Sequence, residues 1–172
     1  MTRVLVFSTL YPNAAQPNHG IFVENRLAHT LDLGGLQATV IAPAPYFPSR
    51  NPMFGRYAVF AQIPASEVRG GVEVLHPRYL VAPKIGNRLT HWTLYRAGLR
   101  AARALRAKGQ TFDVIDAHYF FPDGVAAAAL GRALGLPVVI TARGTDLTLI
   151  PRDPGARPVS YTHLTLPTKR IV

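Results

Sequence analysis

Apolar and polar positions along this chain fall into blocks whose spacing switches between that of a strand and that of a helix. Arg3 to Ser8 is an apolar, β-branched run of the kind that forms a buried strand. Thr9 to His19, with Pro12, Asn13, Pro17 and Asn18, reads as a loop that Gly20 ends. Ile21 to Leu33 then carries Phe22, Val23, Leu27, Thr30 and Leu31 on one side of a helix, and Gly34-Gly35 stops it as a left-handed cap does. Gln37 to Ala42 is a second strand and Val72 to Leu75 a third. The proline-rich stretch between them, Pro43 to Gly71, reads as long and irregular; its aromatics Tyr46, Phe47, Phe54, Tyr57 and Phe60 would suit stacking on a sugar or lipid. From Asn87 to Lys108, Leu89, Trp92, Tyr95, Leu99, Ala102 and Leu105 recur three or four apart, which predicts an amphipathic helix with that face on the sheet. Asp113 to Ala117 is a fourth strand. Pro122-Asp123-Gly124 opens an Ala-rich helix, with Pro near its first turn and Asp123 as its cap, and Pro137 to Thr141 is a fifth strand.

Strands alternating with helices predict a parallel sheet with right-handed crossovers. The expected fold is a three-layer α/β domain, Rossmann-like, with a mainly parallel sheet in the order 3-2-1-4-5. Ligands of such folds bind outside the carboxyl ends of the strands. Two polar clusters sit just past strand ends here: His118 after strand four, and Arg143-Gly144-Thr145-Asp146 after strand five.

Composition narrows the function. The chain has 172 residues, about one domain, and no cysteine, which excludes a disulfide framework or a thiolate metal site. No apolar run reaches the roughly 18 residues of a membrane span, and the N-terminal MTRVLVFSTLYP lacks the features of a signal peptide; a cytoplasmic protein is expected. The net charge of +10 is uneven, with no acidic residue between Glu73 and Asp113. Arg96, Arg100 and Arg103 form a stripe that is either a solvated face or a contact for an anionic membrane at its inner face. No nucleic-acid motif accompanies the charge.

The first strand–helix connection, Phe7 to Pro12, has neither a Gly-x-Gly-x-x-Gly fingerprint nor a P-loop, which argues against a dinucleotide dehydrogenase or an epimerase. Gly20 precedes a helix whose free N–H groups can face an anion or a sugar, or it merely makes a turn. His118 can exchange a proton or hydrogen bond with a substrate hydroxyl, or pack beside Tyr119. Arg143 suits phosphate through its planar fork. Asp146 either orients a sugar hydroxyl or caps the next helix.

Taken in order, Tyr11-Pro12, Gly20-Ile21-Phe22-Val23, Asp113…His118…Pro122-Asp123-Gly124 and Pro137 to Asp146 resemble the N-terminal half of a family 4 glycosyltransferase of the GT-B type, over nearly all of residues 1–158. The resemblance implies two Rossmann-like domains in the whole enzyme, the N-terminal one mostly for the acceptor. It implies transfer of a sugar, with retention, from a nucleotide-sugar co-substrate to a hydroxyl of an acceptor glycan or lipid, in cell-surface polysaccharide or glycolipid synthesis, without a bound metal or other cofactor. By position, Gly20 would approach the donor phosphate or the acceptor, His118 would lie beside the reacting sugar, and Arg143, Gly144, Thr145 and Asp146 would line the cleft. Many relatives have His where this chain has Arg143. The family's Glu-x7-Glu segment belongs to a donor-binding domain absent from this chain, so little or no activity is expected of it alone. A non-catalytic, basic, membrane-peripheral binding module is the competing expectation. Val159 to Val172 has no clear period and resembles translated read-through of a sequencing adapter, so residues 159–172 are expected to be a non-native tail.

Overall fold

The computed structural model describes residues 1–81 and 86–142, apart from the side chains of Arg56 and of residues 86–88. The strands are β1 (Thr2–Phe7), β2 (Leu36–Ile41), β3 (Ala44–Pro45), β4 (Ser66–Arg69), β5 (Val72–Leu75), β6 (Arg78–Tyr79), β7 (Val114–His118) and β8 (Val138–Thr141). The helices are α1 (Ile21–Asp32), α2 (Arg56–Phe60), α3 (Gly86–Ala107) and α4 (Val125–Leu134). The main sheet has the order β4-β5-β2-β1-β7-β8, parallel throughout except for β4, which pairs antiparallel with β5. Its five parallel strands follow the expected 3-2-1-4-5 order.

Alternate residues of each strand face opposite layers. Leu5, Phe7, Ile41, Ile115 and Ala117 pack under α3 and α4, while Val6, Val40 and Val74 pack under α1 through Val23 and Leu27. The Rossmann-like, three-layer arrangement is therefore the observed one. Two glycines let helices approach closely. A Cβ on Gly98 of α3 would meet the Phe7 ring at 2.7 Å, and one on Gly131 of α4 would strike a Val138 methyl and lie 2.8 Å from the Leu136 carbonyl.

Four local expectations are corrected. Pro43 to Gly71 is not irregular throughout: it holds β3, a 3-10 turn (Pro52–Phe54), α2 and β4. Phe22 is exposed on α1, because only Val23 and Leu27 reach the core. On α3 the buried face is set by Leu94, Ala97, Ala101, Ala102 and Leu105, and Leu89 and Trp92 point outward. The small residues let α3 settle on β1, so the packing seam runs along Ala and Gly rather than along the largest side chains. Finally, Pro122-Asp123-Gly124 does not open α4 itself: it lies in a wide turn, Phe120–Gly124, and α4 begins at Val125.

The Gly131 contact generates a stability expectation. Gly131→Ala must displace Val138 or the backbone at Leu136, and the destabilisation expected from urea unfolding is about 1–3 kcal/mol. A wild-type midpoint would contradict the close approach of α4 to β8.

Candidate functional site

The carboxyl ends of β1, β2, β5 and β7 converge at one edge of the sheet, and a buried carboxylate ties two of them together. Asp123 is completely buried. Its Oδ2 accepts the Thr9 backbone N–H at 2.7 Å and the Thr9 hydroxyl at 2.9 Å. The Ser8 hydroxyl lies 3.5 Å away and also reaches the His118 carbonyl at 3.3 Å. Asp123 is therefore not the cap of α4, which starts on Gly124 with no side-chain cap; instead it joins the turn after β7 to the loop after β1. A buried carboxylate persists only when hydrogen bonds replace its lost hydration, and these do so.

That tie shapes a cavity of about 230 Å³ between the loop after β1 and the segments that leave β2 and β5. Thr9, Asn13, Gln16, His19, His76 and Tyr79 give it polar atoms, and Tyr11, Phe60 and Ile63 give it apolar walls. The His19 Nε2 lies 3.1 Å from the Thr9 carbonyl. Buried His76 spans the Ala42 carbonyl and the Glu67 carboxylate, each at 2.9 Å, and so holds β4 against the end of β2. Burial pushes the Tyr79 phenol above its ordinary range, and the Asp123 carboxylate adds to this. Burial, then the Glu24 carboxylate, pushes Tyr11 up to about 12. A larger hollow of about 760 Å³, lined by Arg3, Thr39, Glu73 and Gln110, opens at the opposite end of the strands. Its polar groups serve one another, as in the 2.9 Å bond from Gln110 to Glu73, and it lies at the wrong edge for a ligand of this fold.

Gly20 belongs to the loop that forms the smaller cavity. It starts α1 in the left-handed region, with φ 66°, and a Cβ there would collide with the Leu10 carbonyl group. No other residue fits, and its carbonyl accepts the Val23 N–H at 2.9 Å. His118 sits at the end of β7 but on the α1 face, 2% exposed. Its Nε2 is 3.3 Å from Asp116 Oδ2, and its Nδ1 is 3.4 Å from Arg26 Nη1. Arginine only donates. Nδ1 thus faces a donor and Nε2 a carboxylate, and the two contacts hold the ring's orientation. Arg26 also donates to the Thr141 hydroxyl at 2.8 Å, with its guanidinium partly exposed. Arg143, Gly144, Thr145 and Asp146 lie outside the described residues.

Gly20 follows the loop that lines the edge cavity but does not line it, and His118 lines a separate hollow of about 220 Å³ on the α1 face, with Arg26 and Asp116. Sequence reasoning missed Thr9, Tyr79, Arg26 and Asp116 and misread Asp123. A charged Asp116 inside an otherwise apolar strand was the one available signal; the others depend on partners far away in the chain. Among the described residues, no cluster of three or more His, Asp or Glu side chains is placed to hold a metal.

The family model of Glycosyltransferase Family 4 matches residues 25–169. TuaC of Bacillus subtilis (strain 168), which bears the name of a teichuronic acid biosynthesis glycosyltransferase, is 28% identical over 150 residues, covering 87% of this chain. The chain spans 38% of that relative's length.

Two expectations follow from the site. Asp123→Asn leaves a poorer acceptor facing Thr9 and Ser8, and the expected loss in urea unfolding is about 2–4 kcal/mol. Thr9→Val, which keeps the backbone bond, should cost about 1 kcal/mol; equal losses would contradict the pattern. The raised Tyr11 pKa sets a pH window. Folding favours the neutral phenol, so its contribution is complete below the unfolded value of about 10 and is lost as pH rises through about 12. Unfolding midpoints should fall across that window, and Tyr11→Phe should flatten the fall; an unchanged slope would refute the assignment.

Proposed function

The chain belongs to glycosyltransferase family 4, and we propose that it forms the acceptor-side half of a retaining glycosyltransferase. The reaction moves a sugar from a nucleotide-sugar donor to an acceptor hydroxyl. The observation that carries this reading is the edge cavity: a small, polar-lined space at the carboxyl ends of the strands, held by the Asp123 tie. At about 230 Å³ it falls below the roughly 300–1,000 Å³ of drug-sized sites. That size suits one sugar-sized polar group more than a whole dinucleotide.

In this reading Thr9, Asn13, Gln16 and Tyr79 offer hydroxyl and amide partners to the acceptor. Gly20 permits the backbone approach that shapes the loop. His118, oriented by Asp116, stands beside the reacting sugar, and Arg143, Gly144, Thr145 and Asp146 line the cleft toward the donor. The donor is a nucleotide sugar held mainly by a second domain, and no metal takes part. The named relative, a teichuronic acid biosynthesis glycosyltransferase, supports a role in polysaccharide synthesis; in this reading the product is a cell-surface polysaccharide or glycolipid and the chain works at the cytoplasmic side of the membrane. No described helix is long and apolar enough to cross a membrane. Residues 1–158 form the acceptor-side domain, and residues 159–172 are a read-through tail, although the family match extends to residue 169.

The test compares two proteins: the 172-residue chain, and the product of the source frame re-read through the codon for Pro158. Each is incubated with radiolabelled nucleotide sugars and bacterial membranes. Transfer with a retained anomeric configuration is expected from the longer protein, with none from the shorter. Turnover by the shorter chain overturns the half-enzyme reading, and an inverted product overturns retention.

A further inference from the structure

The segment between β3 and β4 walls the edge cavity through Phe60 and Ile63, and it carries a row of aromatic rings. Phe60 meets Tyr57 edge-on, with 6.2 Å between ring centroids. Tyr57 meets Phe47 at 5.7 Å, and Phe47 meets Phe54 at 5.4 Å. The row runs without a break from the cavity wall to the surface. Each ring is held by its neighbour, so the row is preorganised. Local packing does not account for it. Phe54 and Tyr57 stay 43% and 48% exposed, whereas the rings of a small local core would be covered. Exposed apolar surface continuous with a polar cavity marks a ligand groove.

Two arginines reach the same point. The Arg78 guanidinium donates to the Phe60 carbonyl at 2.8 Å and to the Ile63 carbonyl, and Arg50 Nε donates to the Ala61 carbonyl at 3.2 Å. Burial lowers the Arg78 pKa and the nearby Arg50 charge lowers it further, so the two cations repel each other. Neither forms an ion pair among the described residues, and no acidic residue occurs between Asp32 and Glu67. The carbonyls at the end of α2 offer little compensation, since even a full helix terminus carries roughly half a negative charge. An anion would balance the pair. Aromatic rings pack against the C–H face of a sugar, and guanidinium groups grip a carboxylate or phosphate through their planar forks. An acyl chain would use the rings and not the cations; an acidic peptide would use the cations and not the rings. An anionic glycan uses both, and the cavity at the end of the row has room for one sugar-sized group.

We infer that Phe47, Phe54 and Tyr57, with Arg50 and Arg78, form an outer subsite for an anionic sugar of an oligosaccharide whose end enters the edge cavity. The acceptor is then a glycan chain that bears a carboxylate or phosphate, not a single free sugar. This rests on the acceptor-side reading proposed above and names the class of that acceptor.

The 172-residue chain is titrated by calorimetry with four probes: hexagalacturonate, phosphorylated maltohexaose, plain maltohexaose and a glutamate hexapeptide. One of the anionic oligosaccharides should bind about tenfold tighter than both maltohexaose and the peptide, and the tighter of the two identifies the anion. Arg50→Gln should weaken that ligand about tenfold and leave maltohexaose unchanged. Tyr57→Ala should weaken both oligosaccharides about fivefold, and Tyr57→Phe should keep their affinity. Arg100→Gln, on an exposed position of α3, removes the same charge elsewhere and should change nothing. Circular dichroism checks that each variant is folded. Three results overturn the inference: no binding of either anionic oligosaccharide, equal binding of the glutamate peptide, or equal losses in Arg50→Gln and Arg100→Gln. The assay reads binding without transfer, so the two readings fail separately. Binding here with no transfer by the longer protein leaves the subsite standing and overturns the transferase; transfer with no binding here does the reverse.

Discussion

The buried carboxylate of Asp123 is the constraint on which the functional edge depends. A sheet of this kind fixes its strands by backbone ladders, but the loops beyond the strand ends have no ladder to hold them. Here one carboxylate accepts from the backbone and hydroxyl of Thr9 and lies within reach of Ser8. The turn after β7 is thereby bound to the loop after β1. The same loop packs against Gly20 through Leu10, so the start of α1 is set by the tie as well. Tyr79, at the end of β6, is close enough for the Asp123 charge to raise its pKa. Segments distant in sequence thus share one electrostatic centre, and the cavity is the space left between them.

Around that centre the chain's chemistry separates into two faces of β7. Asp116 and His118 point toward α1, where Arg26 and Thr141 complete a chain of hydrogen bonds. Ile115 and Ala117 point the other way into the core under α3 and α4. This alternation is the ordinary period of a strand, and it explains how a single short element serves both packing and chemistry. The aromatic row that ends at Phe60 borders the same edge, which gives that edge a polar cavity and an aromatic rim together.

Much of the fold is legible in the sequence because the parallel strands read as short apolar, β-branched runs. Their order follows from crossover rules and agrees with the observed sheet. What escaped has physical causes. Ser66–Arg69 carries two charges in four residues, Glu67 and Arg69, and pairs only at an edge, so nothing marks it as a strand within a proline-rich stretch. The buried side of α3 is defined by Ala97, Gly98 and Ala101, whose value lies in being small; a search for large apolar residues selects Leu89 and Trp92, which face outward. Asp123 fits a cap by local pattern, but its partners are more than a hundred residues away. Gly20 and His118 were visible as candidates, whereas Arg26 and Asp116 become meaningful only once α1 lies across β7.

Hydrogen exchange at the Thr9 amide tests the central claim most directly. In the native chain this N–H, bonded to a fully buried carboxylate, should exchange as slowly as amides inside β1 although it lies in a loop. In Asp123→Asn its protection should fall sharply while the interior amides of β1 and β7 keep theirs. Fast exchange at Thr9 in the native chain, or unchanged protection in the variant, would contradict the account that one buried carboxylate holds this edge together.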